Sequence, residues 1–265
     1  MTNHYLKISK IAFIGSGVCL LICIITLIIF YPNLGSSQQW DLVLPFALSV
    51  IVLFFTGLYH FNNYKKTKGM ADEKIQMKEN EKERQFVLRK EPSHFLKLTA
   101  YNPNGILIYQ ITPTTPWIVD LLMPNNIRTF LPKKWVIGNN KNEVIGYIKN
   151  GAGIYSPLKI EDEHQKVIGL FKEEKFKLTL KGKVYSNSDE VLAEIITDAY
   201  LYDVCLQAAA GKELCRYREG WMPVEWTKWF KEANQHTLIL NEKVTSREKL
   251  ICLGLIHYFI YMKEG

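Results

Sequence analysis

The chain has 265 residues, 48% of them hydrophobic, and its 33 Lys/Arg against 26 Asp/Glu give a formal net charge of +7. Residues 1–91 contain 11 Lys/Arg and 7 Asp/Glu, a net charge of +4, which leaves +3 for the remaining 174 residues. That balance is too mild for a dedicated nucleic-acid-binding protein, and no nucleic-acid-binding motif is present. The five cysteines share no C-x-x-C or Cys/His spacing, so we expect reduced thiols, no metal site and no other cofactor.

Two apolar stretches without charged residues, 11–30 and 42–61, lie close together near the start of the chain. Each has 20 residues, and at a rise of about 1.5 Å per residue a helix of this length crosses a hydrocarbon core of about 30 Å. They predict a transmembrane helical hairpin over residues 1–63. A cleaved signal peptide is the competing interpretation of the first stretch, but its apolar part exceeds the usual ~7–15 residues and no A-x-A cleavage site follows it.

Positive residues flank the two predicted spans on one side only. Two lysines precede the first span and three follow the second, whereas the loop 31–41 carries a single charge, Asp41. The lysines are Lys7, Lys10, Lys65, Lys66 and Lys68. Because positive residues are retained on the cytoplasmic side, the sequence predicts a cell-membrane protein with two spans and both termini in the cytoplasm.

A charged segment and a large domain follow the spans. Residues 64–91 are dense in Lys, Glu, Gln and Arg and bury little apolar surface, so they predict a solvated cytoplasmic linker. Residues 92–265 are enough for one substantial core. Their short apolar segments, separated by Asn, Gly, Asp and Pro, are typical of β-strands.

The β-rich region contains a loose internal repeat. It is clearest in VIGYIK at 144–149, which returns 23 residues later as VIGLFK at 167–172, each time after a polar turn. Weaker copies begin at Gly105, Val191 and Glu213. Each copy has the pattern of the return strand of a hairpin, and five hairpins at this spacing predict an antiparallel meander.

The last long segment is apolar nearly all round. Residues 250–262 read LICLGLIHYFIYM, and these 13 residues are too few to span a bilayer. Thr245 and Glu248 form a T-x-x-E capping box just before them. A helix that is apolar on every side needs apolar partners on every side. The predicted fold class is therefore a membrane-anchored α+β chain, with a transmembrane helical hairpin and then an antiparallel β-barrel closed around a buried C-terminal helix.

The order of these motifs resembles the tubby-like superfamily, which includes tubby C-terminal domains, LURP-one-related proteins and phospholipid scramblases. The resemblance covers residues 93–263 and rests on 144–149, 167–172 and the helix at 245–262. It implies a β-barrel built around a central helix, and it implies interaction with membrane phospholipid. Scramblases carry their membrane helix after the barrel, whereas the predicted spans of this chain come before it.

Lysines cluster in two places that we interpret as candidate lipid-binding sites. One group adjoins the second copy of the repeat, and the other lies beside Trp135. The residues are Lys172, Lys175, Lys177, Lys181 and Lys183 in the first group, and Lys133 and Lys134 in the second. Their amines suit anionic headgroups. A merely solvated outer face of the barrel is the alternative, because such faces are normally polar.

Four aromatic residues crowd one short segment: Trp221, Trp226, Trp229 and Phe230. The spacing i, i+3, i+4 puts the last three on one face of a short amphipathic helix. This pattern predicts a plug that covers one end of the barrel. Docking of the rings onto a partner protein or onto the membrane interface is the alternative.

No sequence motif indicates catalysis, since G-x-S-x-G, H-E-x-x-H and Gly-rich phosphate loops do not occur. We therefore expect a binding or scaffold protein rather than an enzyme. It is expected to act at the inner leaflet, where it recognises anionic phospholipid or a membrane-associated partner protein, and no nucleic acid. Two alternatives are lipid movement of the scramblase kind and a purely structural or protein-interaction role.

Overall fold

The computed structural model describes residues 2–30, 36–71, 84–91, 96–114, 131–153, 156–174, 181–198, 200–220, 222–230 and 235–264. The chain divides into two compact units, residues 1–79 and residues 80–265. In the described residues the first unit is helical, and the second is built mainly of β-strands around a long helix. The predicted α+β class is confirmed.

The described part of the first unit consists of the helices α1 (Thr2–Phe30) and α2 (Ser36–Ala71). Each contains a stretch that is long and apolar enough to cross a membrane, Tyr5–Ile29 in α1 and Val43–Lys66 in α2. Two helices of spanning length are thus confirmed. Helix α2 runs past the predicted limit of the hairpin at residue 63, so its last turns lie in the segment predicted as linker.

The two helices pack against each other through small side chains. The Ser9 hydroxyl donates a hydrogen bond to the Gly57 carbonyl at 3.1 Å, and the Ser16 hydroxyl donates to the Val50 carbonyl at 3.2 Å. A Cβ on Gly57 would lie only 2.8 Å from the Phe13 ring, so a larger residue there would have to displace that ring. Close packing at small residues and hydrogen bonds between helices hold helices together inside a bilayer.

The described part of the second unit forms a closed antiparallel barrel of twelve strands. Strands that follow each other in the chain are neighbours in the wall, and β1 pairs with β12 to close it. The strands are β1 (Gln85–Glu91), β2 (Lys97–Tyr101), β3 (Leu107–Pro113), β4 (Lys133–Asn139), β5 (Val144–Asn150), β6 (Leu158–Asp162), β7 (Val167–Glu173), β8 (Gly182–Tyr185), β9 (Val191–Thr197), β10 (Asp203–Ala208), β11 (Glu213–Glu219) and β12 (His236–Leu240). The predicted antiparallel barrel is confirmed.

The five hairpins predicted from the repeat are present, and their turns share one backbone conformation. Between β6 and β7, Asp162 Oδ1 accepts hydrogen bonds from the backbone N–H groups of His164 and Lys166 at 3.0 and 2.9 Å. The next-to-last residue of each turn has a positive φ, and a register shift beside each turn marks a β-bulge. The positive-φ residues are Gly105, Asn142, Gln165, Asp189 and Gly211. This geometry is that of a three-residue hairpin loop with an adjoining bulge.

The helix α3 (Ser246–Glu264) fills the barrel interior. Residues 251–260 are all buried. The predicted capping box is formed, because the Thr245 N–H donates to Glu248 Oε2 at 2.7 Å and the Glu248 N–H donates to Thr245 Oγ1 at 3.2 Å. The predicted buried helix and its start are confirmed.

The glycine of the repeated motif lies where α3 comes close to the wall. A Cβ on Gly169 would lie 3.2 Å from Ile251, and a Cβ on Gly146 would lie 3.4 Å from Leu250 and 2.7 Å from the Glu161 carbonyl oxygen. The third position of the motif is therefore kept small by the helix and by the neighbouring strand.

The two ends of the barrel differ in their connections. The five hairpin turns lie at one end, which we call the turn end, with the start of β1 and the start of α3. The remaining connections leave and re-enter the strands at the other end of the barrel, which we call the loop end. The longest of them are residues 114–132 and 220–235. Variable loops on a rigid scaffold are common places for binding residues.

The predicted linker 64–91 extends too far, because its last seven residues form β1. Phe86 and Leu88 point into the core and are 0% and 1% exposed. The charged residues at 89–91 made this strand look like the linker before it. The barrel unit therefore begins before Gln85 rather than at residue 92.

Candidate functional site

Three lysines stand side by side on the outer wall of the barrel. Lys134 on β4 is the register partner of Lys149 on β5, which is the register partner of Lys159 on β6. Each adjoins an interior residue of its own strand, so alternation directs its side chain outward. These interior residues are Trp135, Ile148 and Ile160. Like charges directly opposite each other on neighbouring strands destabilise a sheet, so the row is unfavourable unless negative charge neutralises it.

Among the described residues, only the middle lysine of the row has a carboxylate partner. Lys149 Nζ lies 2.7 Å from Glu161 Oε2, and Glu161 is 4% exposed. Lys134 Nζ lies 4.5 Å from the centre of the Tyr147 ring, and Lys159 is exposed to solvent. Three lysines and one glutamate leave this row with a charge of +2.

A second pair of opposed lysines lies on the next strands. Lys172 on β7 is the register partner of Lys183 on β8. Lys172 Nζ is 3.2 Å from Asp189 Oδ1, and Lys183 Nζ is 2.7 Å from Glu194 Oε1, a hydrogen bond that raises the pKa of Lys183. Both carboxylates are exposed, and exposed ion pairs are worth only about 0–1 kcal/mol. A more highly charged anion can therefore displace them.

We call this outward surface of β4–β8 the basic face. Its residues are Lys134, Lys149, Lys159, Lys172 and Lys183, with Tyr147 and Tyr185 beside the amines. Three of the predicted lipid-binding residues, Lys134, Lys172 and Lys183, lie on it. Lys181 is exposed immediately before β8, and the predicted residues Lys175 and Lys177 lie outside the described residues.

Sequence reasoning selected Lys133 and missed Lys149 and Lys159. Lys133 faces the interior, because it lies two residues before Trp135 and four before Ile137, and both of these residues belong to the core. Its amine lies 4.4 Å from the centre of the Tyr261 ring and donates a hydrogen bond to the Tyr261 hydroxyl. The signal that could have found the other two is strand register, which brings lysines 25 residues apart in sequence into one row.

A second group of cations, on β11, is held by a carboxylate on β10. Arg216 makes two hydrogen bonds to the Asp203 carboxylate, at 2.9 and 3.0 Å, and Arg218 Nε lies 3.3 Å from it. Burial acts to raise the pKa of Asp203, but the two arginines outweigh burial and lower it. Because the forked contact is a strong one, the basic face is the better candidate for binding an anion.

The aromatic segment covers the outside of the barrel rather than one of its ends. Trp226, Trp229 and Phe230 are 8%, 6% and 0% exposed, and they lie on or just after a short 3-10 helix, Val224–Lys228. The Phe230 ring centre is 6.3 Å from that of Tyr101 on β2. A short helix is present, but it is a 3-10 helix that ends before Trp229 and Phe230, and the predicted position at a barrel end is wrong.

The outer residues beneath this segment explain its position. Val87 on β1 and Tyr101 on β2 are 0% and 4% exposed although neither belongs to the interior core. A Cβ on Gly105 would lie 3.3 Å from Trp229, so the segment reaches the first hairpin turn. Burial of the described rings favours a structural role over docking, and Trp221 lies outside the described residues.

A histidine and a tyrosine near the loop end lie within hydrogen-bond distance of each other, but their pKa values do not suit a general acid and base. The Tyr217 hydroxyl lies 2.8 Å from His236 Nδ1. Burial, with the charge of Lys90, lowers the pKa of His236 to about 4, and burial also raises the pKa of Tyr217. Both groups are neutral near pH 7, far from the pKa range in which a general acid or base works best. Within the described residues, no group of three or more His, Cys, Asp or Glu is placed to hold a metal ion.

Comparison with known proteins gives a distant structural likeness. No family model and no curated protein matches the sequence. A protein from Arabidopsis thaliana, known from an X-ray structure, is similar over 68% of this chain and 89% of its own, with 6% sequence identity and a TM-score of 0.42. A likeness at that level supports no argument about function. Membership of the tubby-like superfamily stays a prediction, whereas the barrel and its helix are observed.

Proposed function

We propose that this chain is a membrane-anchored binding protein whose barrel recognises the anionic lipid surface of the inner leaflet through the basic face. In this proposal α1 and α2 span the cell membrane, both termini are cytoplasmic, and the barrel binds rather than catalyses. The chain is then a tubby-like protein with its anchor placed before the barrel.

The observation that carries the proposal is the row Lys134, Lys149 and Lys159. Like charges in register reduce folding stability, and an anionic surface on that side removes the repulsion. Near an anionic membrane each such lysine contributes about 1 kcal/mol to binding. Two tyrosine rings lie 4.5 and 4.7 Å from amines of the basic face, and tyrosine is favoured at the level of lipid headgroups.

The anchor makes a weak surface contact sufficient. Twelve residues, 72–83, separate the end of α2 from Arg84 at the start of the barrel. A tether of this kind makes docking on the same membrane an intramolecular event, with an effective concentration in the millimolar range for a short linker. Lipid recognition by the barrel then needs only modest intrinsic affinity.

The proposal is tested by flotation of residues 80–265 with vesicles, in a salt series, with and without phosphatidylserine. We expect binding that requires the anionic lipid and weakens as salt screens the charges. The variant Lys134→Gln/Lys159→Gln removes two positive charges, so its binding should fall by about 2 kcal/mol, or about 30-fold.

The control variant is Lys141→Gln/Lys166→Gln, which removes two exposed lysines at the turn end and should bind nearly as the parent does. Equal losses in the two variants would mean that net charge matters and the basic face does not. No binding at low salt would exclude lipid recognition and favour protein scaffolding. Movement of lipid between leaflets by the full-length chain would favour the scramblase alternative.

A further inference from the structure

Two tyrosines and a methionine are exposed at the loop end of the barrel. Tyr200, Tyr202 and Met262 are 71%, 49% and 43% exposed. The two tyrosine rings have centres 5.9 Å apart, and Lys263, the residue after Met262, places its amine 3.8 Å from the centre of the Tyr202 ring. We call these three exposed side chains the tyrosine rim.

The rim is held in place by the barrel. The Tyr202 N–H donates to the Asp198 carboxylate at 2.8 Å, and the Glu219 N–H donates to the Tyr202 carbonyl at 2.8 Å. The Lys263 amine also pairs with the Glu219 carboxylate. These contacts join the β9–β10 connection to β11 and to the last turn of α3, so the rings are exposed in a fixed position and little ordering is needed when they bind.

The rim and the basic face lie toward the same end of the barrel. At the loop end, β4 begins at Lys133 and β5 ends at Asn150, and these two residues are register partners. Lys134 and Lys149 form the next register pair, one position from that end. The rim follows β9, which is four strands after β5. At about 4.8 Å per strand spacing, roughly 20 Å of wall separates them. Both features therefore lie near the loop-end limit of the wall in the part of the chain that the structure describes.

The tether allows the loop end to reach the membrane. Twelve residues between α2 and Arg84 extend to at most about 43 Å. A strand of seven residues, such as β1, is about 23 Å long. The chain that enters the barrel at the turn end is therefore long enough to let the opposite end face the bilayer.

We propose that the tyrosine rim inserts into the headgroup region of the bilayer that holds the anchor, so that the barrel docks with its loop end toward the membrane. This inference rests on the proposed function, because it uses the basic face as the second contact. Tyrosine has an apolar ring and a wet hydroxyl, which matches the boundary between headgroups and acyl chains.

The test uses the full-length chain reconstituted into phosphatidylserine-containing vesicles, labelled with an environment-sensitive fluorophore on a cysteine. Tyr200→Cys places the label on the rim, and Ser188→Cys places it in an exposed turn at the opposite end. The cysteines of the barrel are at most 8% exposed, and labelled parent protein corrects for reaction at all native cysteines. We expect a lipid-borne quencher to reduce emission at position 200 at least twofold more than at position 188.

The other possible results distinguish insertion of the tyrosine rim from lipid binding by the basic face. Stronger quenching at position 188, or no quenching at 200 while flotation still depends on Lys134 and Lys159, would overturn the docking orientation and leave the proposed function intact. Quenching at 200 that is equal in neutral vesicles would support insertion of the rim and contradict recognition of anionic lipid. A label at 200 that is shielded from iodide but not quenched by lipid is covered by protein, and this too would overturn the inference.

Discussion

At the scale of single residues, the wall and the core helix are fitted to each other by positions that lack side chains. A Cβ on Gly146 would lie 2.7 Å from the Glu161 carbonyl oxygen, a backbone atom that cannot rotate away. Gly138, on the other strand of the same hairpin, has its nearest neighbour at 3.6 Å. Both glycines lie in the same hairpin, but only Gly146 lacks the space for a Cβ.

We predict that Gly146→Ala lowers the free energy of unfolding by about 1–3 kcal/mol, the usual cost of overpacking. Gly138→Ala is the matched control, and it should leave stability unchanged or slightly higher because alanine restricts the unfolded chain. Urea unfolding of residues 80–265 measures both changes. Equal stability of the two variants would contradict the packing argument.

His257 is the polar exception within the buried stretch of α3. It is 0% exposed, its ring lies edge-on to Trp135 at 5.1 Å, and neither ring nitrogen has a hydrogen-bond partner among the described residues. Burial lowers its pKa to about 3, below the value of about 6.5 in an unfolded chain. The unfolded chain therefore takes up the proton first as the pH falls.

The stability that neutral His257 contributes is thus complete above about pH 6.5 and is lost as the pH falls toward 3. Between pH 7 and pH 5 this linkage amounts to about 2 kcal/mol. We predict that His257→Phe, which keeps an aromatic ring beside Trp135, reduces the loss of stability over that range by about this amount. Denaturant unfolding at the two pH values provides the measurement, and parallel losses in parent and variant would show that His257 does not carry the effect.

At the scale of elements, the barrel has its core around α3. Residues 251–260 meet the wall on every side, so the helix has no solvent-facing stripe in its centre. The capping box fixes its start. A charge placed in the middle of this helix has no route to water.

We predict that Leu255→Asp abolishes the protease-resistant barrel. Leu255 is 0% exposed, and an unpaired buried charge costs several kcal/mol, comparable to the whole stability of a domain. Met262→Asp, in the same helix but 43% exposed, should keep the resistant fragment. Limited proteolysis of residues 80–265 distinguishes them, and survival of the Leu255→Asp fragment would refute a core built on this helix.

The elements that could be predicted from the sequence are those specified by residues close together in the chain. The return strands β5 and β7 directly follow polar turns in the chain, and the capping box of Thr245 and Glu248 marks the start of α3. Strand β1 was missed because charged residues follow its short apolar run directly, and because one of its two partners, β12, begins 145 residues after β1 ends. Alternation alone, at Phe86 and Leu88, was too short to outweigh the charges around it.

The candidate site was only partly predictable for the same reason. Local amphipathicity showed that Trp226, Trp229 and Phe230 share a buried face, but it could not show that this face lies against β1 and β2. Similarly, a cluster of lysines in sequence pointed to Lys133, whereas register assembles Lys149 and Lys159 from different strands. Which residues face outward together depends on pairing that the sequence does not state directly.

At the scale of the whole molecule, the two units combine an apolar helical pair with a closed barrel. Their covalent link is short, and the lysines on either side of the apolar stretches favour one orientation across the membrane. The barrel and the N-terminus are expected on the cytoplasmic side, and the connection between α1 and α2 is expected outside.

Topology is tested with single cysteines in intact cells. We predict that a membrane-impermeant thiol reagent labels Ser36→Cys, at the start of α2, and does not label Ser188→Cys, in a turn of the barrel. Lysing the cells should make the second cysteine reactive, which controls for its accessibility. Labelling of Ser188→Cys but not Ser36→Cys in intact cells would reverse the orientation and remove the inner-leaflet proposal.

Helix α3 follows all the described strands in the chain, and this order determines which parts of the barrel are synthesised first. All twelve described strands precede the 19 residues of α3 in the chain, so the apolar inner faces of the strands are synthesised before the helix that covers them. A nascent chain in that condition exposes apolar surface beside the translation machinery and depends on chaperones. We therefore expect a stop codon just before Ser246 to yield strands without their core helix, a product that is degraded rather than a shortened protein with partial activity.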